Sequence, residues 1–166
     1  AVLRPLGMRD STFAFTTQAG AAADTRLAMG HFESGNAHAA VPVDVRPAAQ
    51  LTTTAADMLR FARFTMGDGR IDGTMFIAPA LMRARARPQG TEAAKAGLQV
   101  GYALGLALRD RHGAVGSCHG GDTVGFRAMV CAFPAHRRAF FIAFNADVEG
   151  ADSTRIRGLL VDALGV

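Results

Sequence analysis

Residues 117–125, which read SCHGGDTVG, concentrate the side chains of this sequence that are best suited to chemistry. His119 is followed directly by Gly120 and Gly121, and glycine lets a ligand approach the backbone amides closely. An imidazole beside bare strand amides supplies a proton-transfer group and hydrogen-bond donors for a developing oxyanion in one place. The alternative interpretation is a glycine-rich hairpin that carries an exposed histidine.

The same segment contains a hydroxyl and a thiol as further nucleophile types. Ser117 lies two residues before His119, on the same face of a strand, but no acid is placed to orient the pair. Cys118 points to the opposite face, so we interpret it as a small buried apolar residue. A disulfide between Cys118 and Cys131 across neighbouring strands is geometrically conceivable and stays open as an alternative.

A metal site is poorly supported in this segment. His112, His119 and Asp122 have no recognised ligand spacing, and the sequence contains no C-x-x-C pair. We therefore expect no metal and no cofactor.

The elements that must position these residues lie in the second half of the chain. Apolar runs at 102–108, 114–120, 125–133 and 138–145 are separated by short turns, which predicts four antiparallel strands in consecutive order. The last run is apolar on both faces, so we expect a central strand covered by helices. The predicted fold class is α+β, with an antiparallel sheet of about four strands and packing helices.

Three helices are predicted around this sheet. Thr54 is suited to cap a helix that ends before Gly67, with Asp57 near its positive end. A second helix is expected from Pro79 to about residue 86, and a last one after Asp152 or Ser153. Between the opening segment and the first helix, residues 16–50 are expected to be irregular, with one short strand near 27–32.

Composition excludes several classes of protein. Of 166 residues, 49% are hydrophobic and 19% are charged, which argues against disorder and coiled coils. No apolar run approaches the roughly 20 residues of a membrane-spanning helix, so no membrane span is expected. The net charge is +4, but the arginines are scattered along the chain rather than clustered. We interpret them as a solvated surface and expect no nucleic-acid partner; a basic nucleic-acid-binding domain is the weakest alternative.

Residues 118–147 resemble the closing sheet of the serine β-lactamase-like hydrolases, which include class C β-lactamases, D-alanyl-D-alanine carboxypeptidases and related esterases. The resemblance rests on the motif His119-Gly120-Gly121, followed by Gly125-Phe126, Pro134 and Asn145. Three further segments match in the right order, namely PLGM with STF at 5–13, LTTTAADM with Phe61 at 51–61, and YALGL at 102–106.

This resemblance implies acyl transfer through a serine ester. It assigns His119 as a catalytic residue, and Gly120, Gly121 and Asp122 as oxyanion and substrate-binding residues, with the Asp122 amide as one oxyanion donor. Histidine rather than lysine in this motif favours esterase or peptidase relatives over class C β-lactamases. The implied substrate is a small acyl compound such as a β-lactam, a peptide or an ester.

Two motifs of the family are absent from this sequence. The single lysine, Lys95, is preceded three residues earlier by Glu92, so no Ser-x-x-Lys occurs. The single tyrosine, Tyr102, is followed two residues later by Leu104, so no Tyr-x-Asn occurs. We therefore expect the C-terminal part of such a hydrolase, inactive alone, with residues 1–95 from the α lobe and 96–166 from the α/β lobe.

The remaining expectations concern context. We expect self-association or pairing with a missing N-terminal half, and a parent protein that is periplasmic or secreted, as the resemblance implies. The alternative function is a non-catalytic binding or interaction module on the same scaffold.

Overall fold

The computed structural model describes residues 2–43, 45, 48–111, 114–147 and 153–166. It contains short paired strands, four helices and one larger antiparallel sheet, which confirms the α+β class. The helices are α1 (Ala55–Thr65), α2 (Pro79–Arg85), α3 (Glu92–Lys95) and α4 (Ser153–Leu164). The small strands are β1 (Gly30–His31), β2 (Ala37–His38), β3 (Arg70–Ile71) and β4 (Thr74–Met75). The large sheet consists of β5 (Gly101–Tyr102), β6 (Ala107–Arg111), β7 (Ala114–Thr123), β8 (Phe126–Phe133) and β9 (Arg138–Phe144).

The large sheet has five strands in the order β5-β6-β7-β8-β9, and every neighbouring pair is antiparallel. The expectation of one strand over 102–108 is wrong, because the chain turns back within it. Gly105 has φ +67°, a conformation that glycine adopts without steric cost, and it divides the run into β5 and β6. Tyr102 and Leu104 are consequently exposed, whereas Leu106 is buried.

Helices cover both faces of the sheet. One core contains Cys118, Phe133 and Phe140 with Val161 of α4. The other contains Met58 of α1, with Val130 and other partly buried residues of the sheet packed against it. Among the described residues, β9 is the outermost strand rather than a central one, which corrects that expectation, although helices pack on both of its faces as expected.

Helix α1 is built as the sequence predicts. The side chain of Thr54 accepts a hydrogen bond from the Asp57 amide, and the helix ends at Thr65, just before Gly67. The carboxylate of Asp57, only 1% exposed, also accepts hydrogen bonds from the Asp10 amide at 2.9 Å and the Ser11 hydroxyl at 2.8 Å. Asp57 therefore fastens the opening segment to the helix.

The irregular region before α1 contains more order than expected. The predicted short strand is present as β1, and β2 pairs with it. The predicted second helix is confirmed as α2, which buries Met82 but leaves Leu81 exposed. Asp152, one of the two expected caps of α4, lies outside the described residues. The division into lobes at residue 95 stays a prediction.

In the described part of the chain, no helix combines the length and apolar character needed to cross a membrane.

Candidate functional site

Strand β7 consists of two halves with different neighbours. Residues 114–118 pair with β6 on one side, and residues 117–123 pair with β8 on the other. From His119 to Thr123, β8 continues to pair, while the described part of β6 pairs no further than Cys118. The predicted site residues therefore lie on the half of β7 that has one open side.

The register determines which amides face that open side. Cys118 and Cys131 lie opposite each other with a Cα–Cα distance of 4.1 Å, the short spacing of a pair that is not hydrogen-bonded. Because this pattern alternates, Gly120 and Asp122 also direct their N–H and C=O groups away from β8. The Asp122 amide thus points towards the open side of the sheet.

His119 is exposed beside this open side. Its Nδ1 lies 2.8 Å from the carbonyl oxygen of Gly105, in the turn between β5 and β6. The motifs around Tyr102 and His119, which the sequence shows only as separate segments, therefore meet through one hydrogen bond. Sequence reasoning missed this role of Gly105, although the glycine itself was part of the quoted motif.

The two glycines after His119 leave space. A Cβ at Gly121 would have no other atom within 4 Å, and one at Gly120 would lie 3.1 Å from the methyl group of Met129. His119, Gly120, Gly121 and Asp122 all border a cavity of about 400 Å³. Ile156 and Arg157 of α4 line it too, so the cavity opens on the face of the sheet that α4 covers. The His119 side chain lies on the opposite face, because strand side chains alternate and Cys118 belongs to the core beneath α4.

The carboxylate of Asp122 has a cationic neighbour across the hairpin. Its Oδ1 lies 3.4 Å from Nε of Arg127, and the Asp122 side chain is 76% exposed. An ion pair this exposed contributes little to stability. The candidate role of Asp122 in the site therefore rests on its main-chain amide rather than on its carboxylate.

Residues outside the β7–β8 hairpin hold its closing turn in place. The Gly125 amide donates to the Asp147 carboxylate at 2.9 Å, and the Asp147 amide donates to the His31 carbonyl at 2.8 Å. A Cβ at Gly125 would lie 3.1 Å from the Cα of Gly30. Strand β1 thus packs directly on this turn, which explains the glycine of the Gly125-Phe126 pair. Sequence analysis missed both Asp147 and β1 as supports of the site.

Cys118 and Cys131 form a disulfide between β7 and β8, and both residues are 2% exposed. The structure therefore selects the disulfide over a free buried thiol. The same bond removes Cys118 as a nucleophile.

No cluster of three or more His, Cys, Asp or Glu side chains suited to a metal ion occurs within the described ranges. Of the set considered above, His112 lies outside those ranges.

Comparisons with known proteins identify the fold. The family described as Beta-lactamase matches residues 1–164. Protein Rv1367c of Mycobacterium tuberculosis is 33% identical over 88 residues, which are 49% of this chain and 22% of that protein. The chain thus spans about a fifth of the length of this curated relative.

Solved structures agree over nearly the entire chain. The octameric penicillin-binding protein homologue from Pyrococcus abyssi superposes with a TM-score of 0.73 at 17% identity, covering 99% of this chain and 36% of that one. A class C β-lactamase mutant superposes with a TM-score of 0.65 at 17% identity, covering 98% of this chain and 50% of that one. At these identities the likeness establishes the fold. With the family match over residues 1–164, it leads to the conclusion that the chain belongs to the Beta-lactamase family.

Proposed function

We propose that this chain is the C-terminal segment of a serine hydrolase that transfers acyl groups from amide or ester bonds. The observation that carries the proposal is the side of β7 beyond Cys118, where no strand of the described residues pairs and the Asp122 amide points outwards next to His119 and two glycines. An amide in this orientation is free to donate to the oxygen of a tetrahedral intermediate. One such donor typically contributes about 10²–10³ in rate.

In the proposed reaction, a serine hydroxyl attacks the acyl carbon and the carbonyl oxygen becomes an oxyanion. The Asp122 amide donates to that oxygen, while His119 accepts a hydrogen bond or the proton from a hydroxyl at the open side of β7. The leaving group takes the proton and departs as an alcohol or amine. Water then hydrolyses the acyl-serine and restores the hydroxyl.

The nucleophile is proposed to come from elsewhere in a longer protein. This sequence contains no Ser-x-x-Lys and no Tyr-x-Asn. The two solved structures described above match 98–99% of this chain, but the match covers only 36% and 50% of their own lengths. We therefore expect this chain alone to be catalytically inactive. A non-catalytic binding module on the same scaffold is the alternative, and the missing nucleophile is the observation that favours it.

The substrate is proposed to be a small ester, peptide or β-lactam. His119 stands where a lysine would offer a permanent positive charge to a substrate carboxylate. We therefore expect neutral acyl esters or peptides to be better substrates than β-lactams that carry a carboxylate.

The parent protein is proposed to be periplasmic or secreted. The buried Cys118–Cys131 disulfide supports this, because disulfides persist in oxidising compartments and are rare in the cytosol.

The test of the oxyanion role uses the full-length parental enzyme and two substitutions at one position. Asp122→Pro removes the N–H that faces the open side, and proline is tolerated at such positions of a strand. Asp122→Ala retains the N–H and serves as the control. We expect Asp122→Pro to lower kcat by about 10²–10³-fold with an unchanged thermal midpoint, whereas Asp122→Ala stays close to the wild type. Equal activities of the two variants would refute this role. Absence of any hydrolase activity in the parental protein would favour the binding module.

A further inference from the structure

We propose that the carbonyl of Gly105 is a positioning group that holds the neutral His119 imidazole as its Nδ1–H tautomer, so that Nε2 acts as a hydrogen-bond acceptor. This inference rests on the proposed function for its chemical meaning. The tautomer itself is a property of the chain that is measurable without any catalysis.

The first argument is the chemistry of the contact. The Gly105 oxygen lies 2.8 Å from Nδ1, and a carbonyl oxygen can only accept a hydrogen bond. Nδ1 must therefore carry the proton, and in the neutral ring the lone pair then resides on Nε2. Nε2 has no hydrogen-bond partner within the described part of the chain.

The second argument is that the carbonyl is itself held in place. Across the turn, the Ala103 amide donates to the Leu106 carbonyl at 2.8 Å. The Leu104 amide donates to the Arg85 carbonyl at 3.2 Å, which connects the turn to α2. With Gly105 at φ +67°, the turn between β5 and β6 is fixed at both its base and its tip.

This tautomer determines that the proton is transferred from a hydroxyl to Nε2 of His119. A hydroxyl in the cleft donates to Nε2, and on attack its proton moves to Nε2 and gives an imidazolium. The Nδ1–H remains bonded to the Gly105 oxygen, whose negative dipole stabilises the positive ring. In the ground state His119 therefore accepts a hydrogen bond from a hydroxyl, whereas a lysine in its place would donate to a substrate carboxylate. The partner of His119 Nε2 is therefore a hydroxyl group rather than a substrate carboxylate. An uncharged acyl compound is the substrate class that fits this arrangement.

The experiment is long-range ¹H–¹⁵N correlation NMR of histidine-labelled protein, at a pH where the imidazoles are neutral. It is recorded on this chain and in parallel on the full-length parental protein. We expect the His119 spectrum to show a protonated Nδ1 and an unprotonated Nε2. His136, which is exposed and has no hydrogen bond within the described residues, serves as the internal control and should show the tautomer mixture of a free histidine.

Two variants test the positioning role of Gly105. Gly105→Val places a β-branched residue at a positive φ that it strongly disfavours, whereas Gly105→Asn tolerates that conformation. We expect Gly105→Val to shift His119 towards the mixture seen for His136, while Gly105→Asn retains the Nδ1–H form. If Gly105→Val prevents folding, the wild-type spectrum alone decides.

A protonated Nε2 on His119 in the wild type would overturn the inference. So would a folded Gly105→Val variant with an unchanged tautomer. Because the readout is the protonated nitrogen rather than turnover, a parental protein without hydrolase activity would refute the proposed function and leave this result interpretable.

Discussion

At the residue scale, Asp57 lies in the first turn of α1, as the sequence predicts, and it also binds residues that are far away along the chain. The sequence predicts Thr54 as a cap and Asp57 as a favourable charge in the first turn, and the helix confirms both. The bonds from Asp10 and Ser11 were not predictable, because these residues are 47 and 46 positions away along the chain. A helical sequence pattern shows on which face of the helix a residue lies, but not which distant loop supplies its hydrogen-bond partners.

The substitution Asp57→Ala is expected to destabilise the protein by about 2–4 kcal/mol. It leaves the Asp10 amide and the Ser11 hydroxyl without their acceptor and breaks the 2.9 Å ion pair with Arg60. Urea denaturation followed by circular dichroism measures the loss.

The control for this prediction is Glu92→Gln, which breaks the ion pair with Lys95 where the Glu92 side chain is 88% exposed. We expect no measurable change in stability from Glu92→Gln. Equal midpoints for Asp57→Ala and the wild type would contradict the fastening role of Asp57.

At the scale of elements, the sheet illustrates both the strength and the limit of sequence patterns. Alternating apolar runs predicted β7, β8 and β9 within a few residues, since turn residues separate them clearly. The run at 102–108 was mistaken for one strand, because a glycine inside an apolar run is compatible with either a strand or a tight turn. Its true form, the β5–β6 hairpin, is what brings Gly105 to His119.

The outer position of β9 was also not predictable. A strand that is apolar on both faces indicates cover by helices, which α1 and α4 provide, but it does not indicate how many strands lie beside it. Neighbours in a sheet are set by the entire chain rather than by one run.

The disulfide between β7 and β8 provides a testable prediction at the scale of elements. The double variant Cys118→Ala/Cys131→Ala is expected to lose about 2–4 kcal/mol of stability, because the disulfide closes a loop over a sequence separation of 13 residues. Urea denaturation with and without a phosphine reductant measures the effect. The reductant should destabilise the wild type and leave the double variant unchanged. A wild type that is insensitive to the reductant and as stable as the variant would show that the thiols are free.

At the scale of the whole molecule, the main question is what meets the outer side of β9. Within the described residues, no strand pairs there, and the alternating pattern of the sheet directs the N–H and C=O groups of Ala139, Phe141 and Ala143 outwards. An unpaired strand edge is a template for pairing with another chain or segment. We propose that another segment covers it in the longer protein proposed above, and that isolated copies of this chain associate through it.

We therefore expect the isolated chain to show a molar mass that rises with concentration in light scattering. Ala143→Pro removes one outward N–H without affecting the bonds to β8, and should shift the mass towards that of a monomer. Ala143→Ser keeps the N–H and should associate like the wild type. A monodisperse wild-type monomer at all concentrations would count against the proposal.

At this scale, sequence reasoning recovered the family and the fold class, because four ordered motifs extend along most of the chain. It predicted a strand that ends at Gly120, with Gly121 and Asp122 between that strand and the next, whereas β7 continues to Thr123. It could not show which amides face the open side of β7, because that depends on the register between β7 and β8 and on where β6 begins.

The central claim is that this chain contributes the oxyanion amide and the imidazole to a site whose nucleophile it lacks. The most direct measurement is mass spectrometry after incubation with a fluorescent penicillin and with a p-nitrophenyl ester, for the full-length parental protein and for this chain alone. The account predicts a covalent adduct on a serine outside these 166 residues in the parental protein, and none on the isolated chain. A stable acyl adduct on Ser117, or on any other residue of this chain, would contradict it.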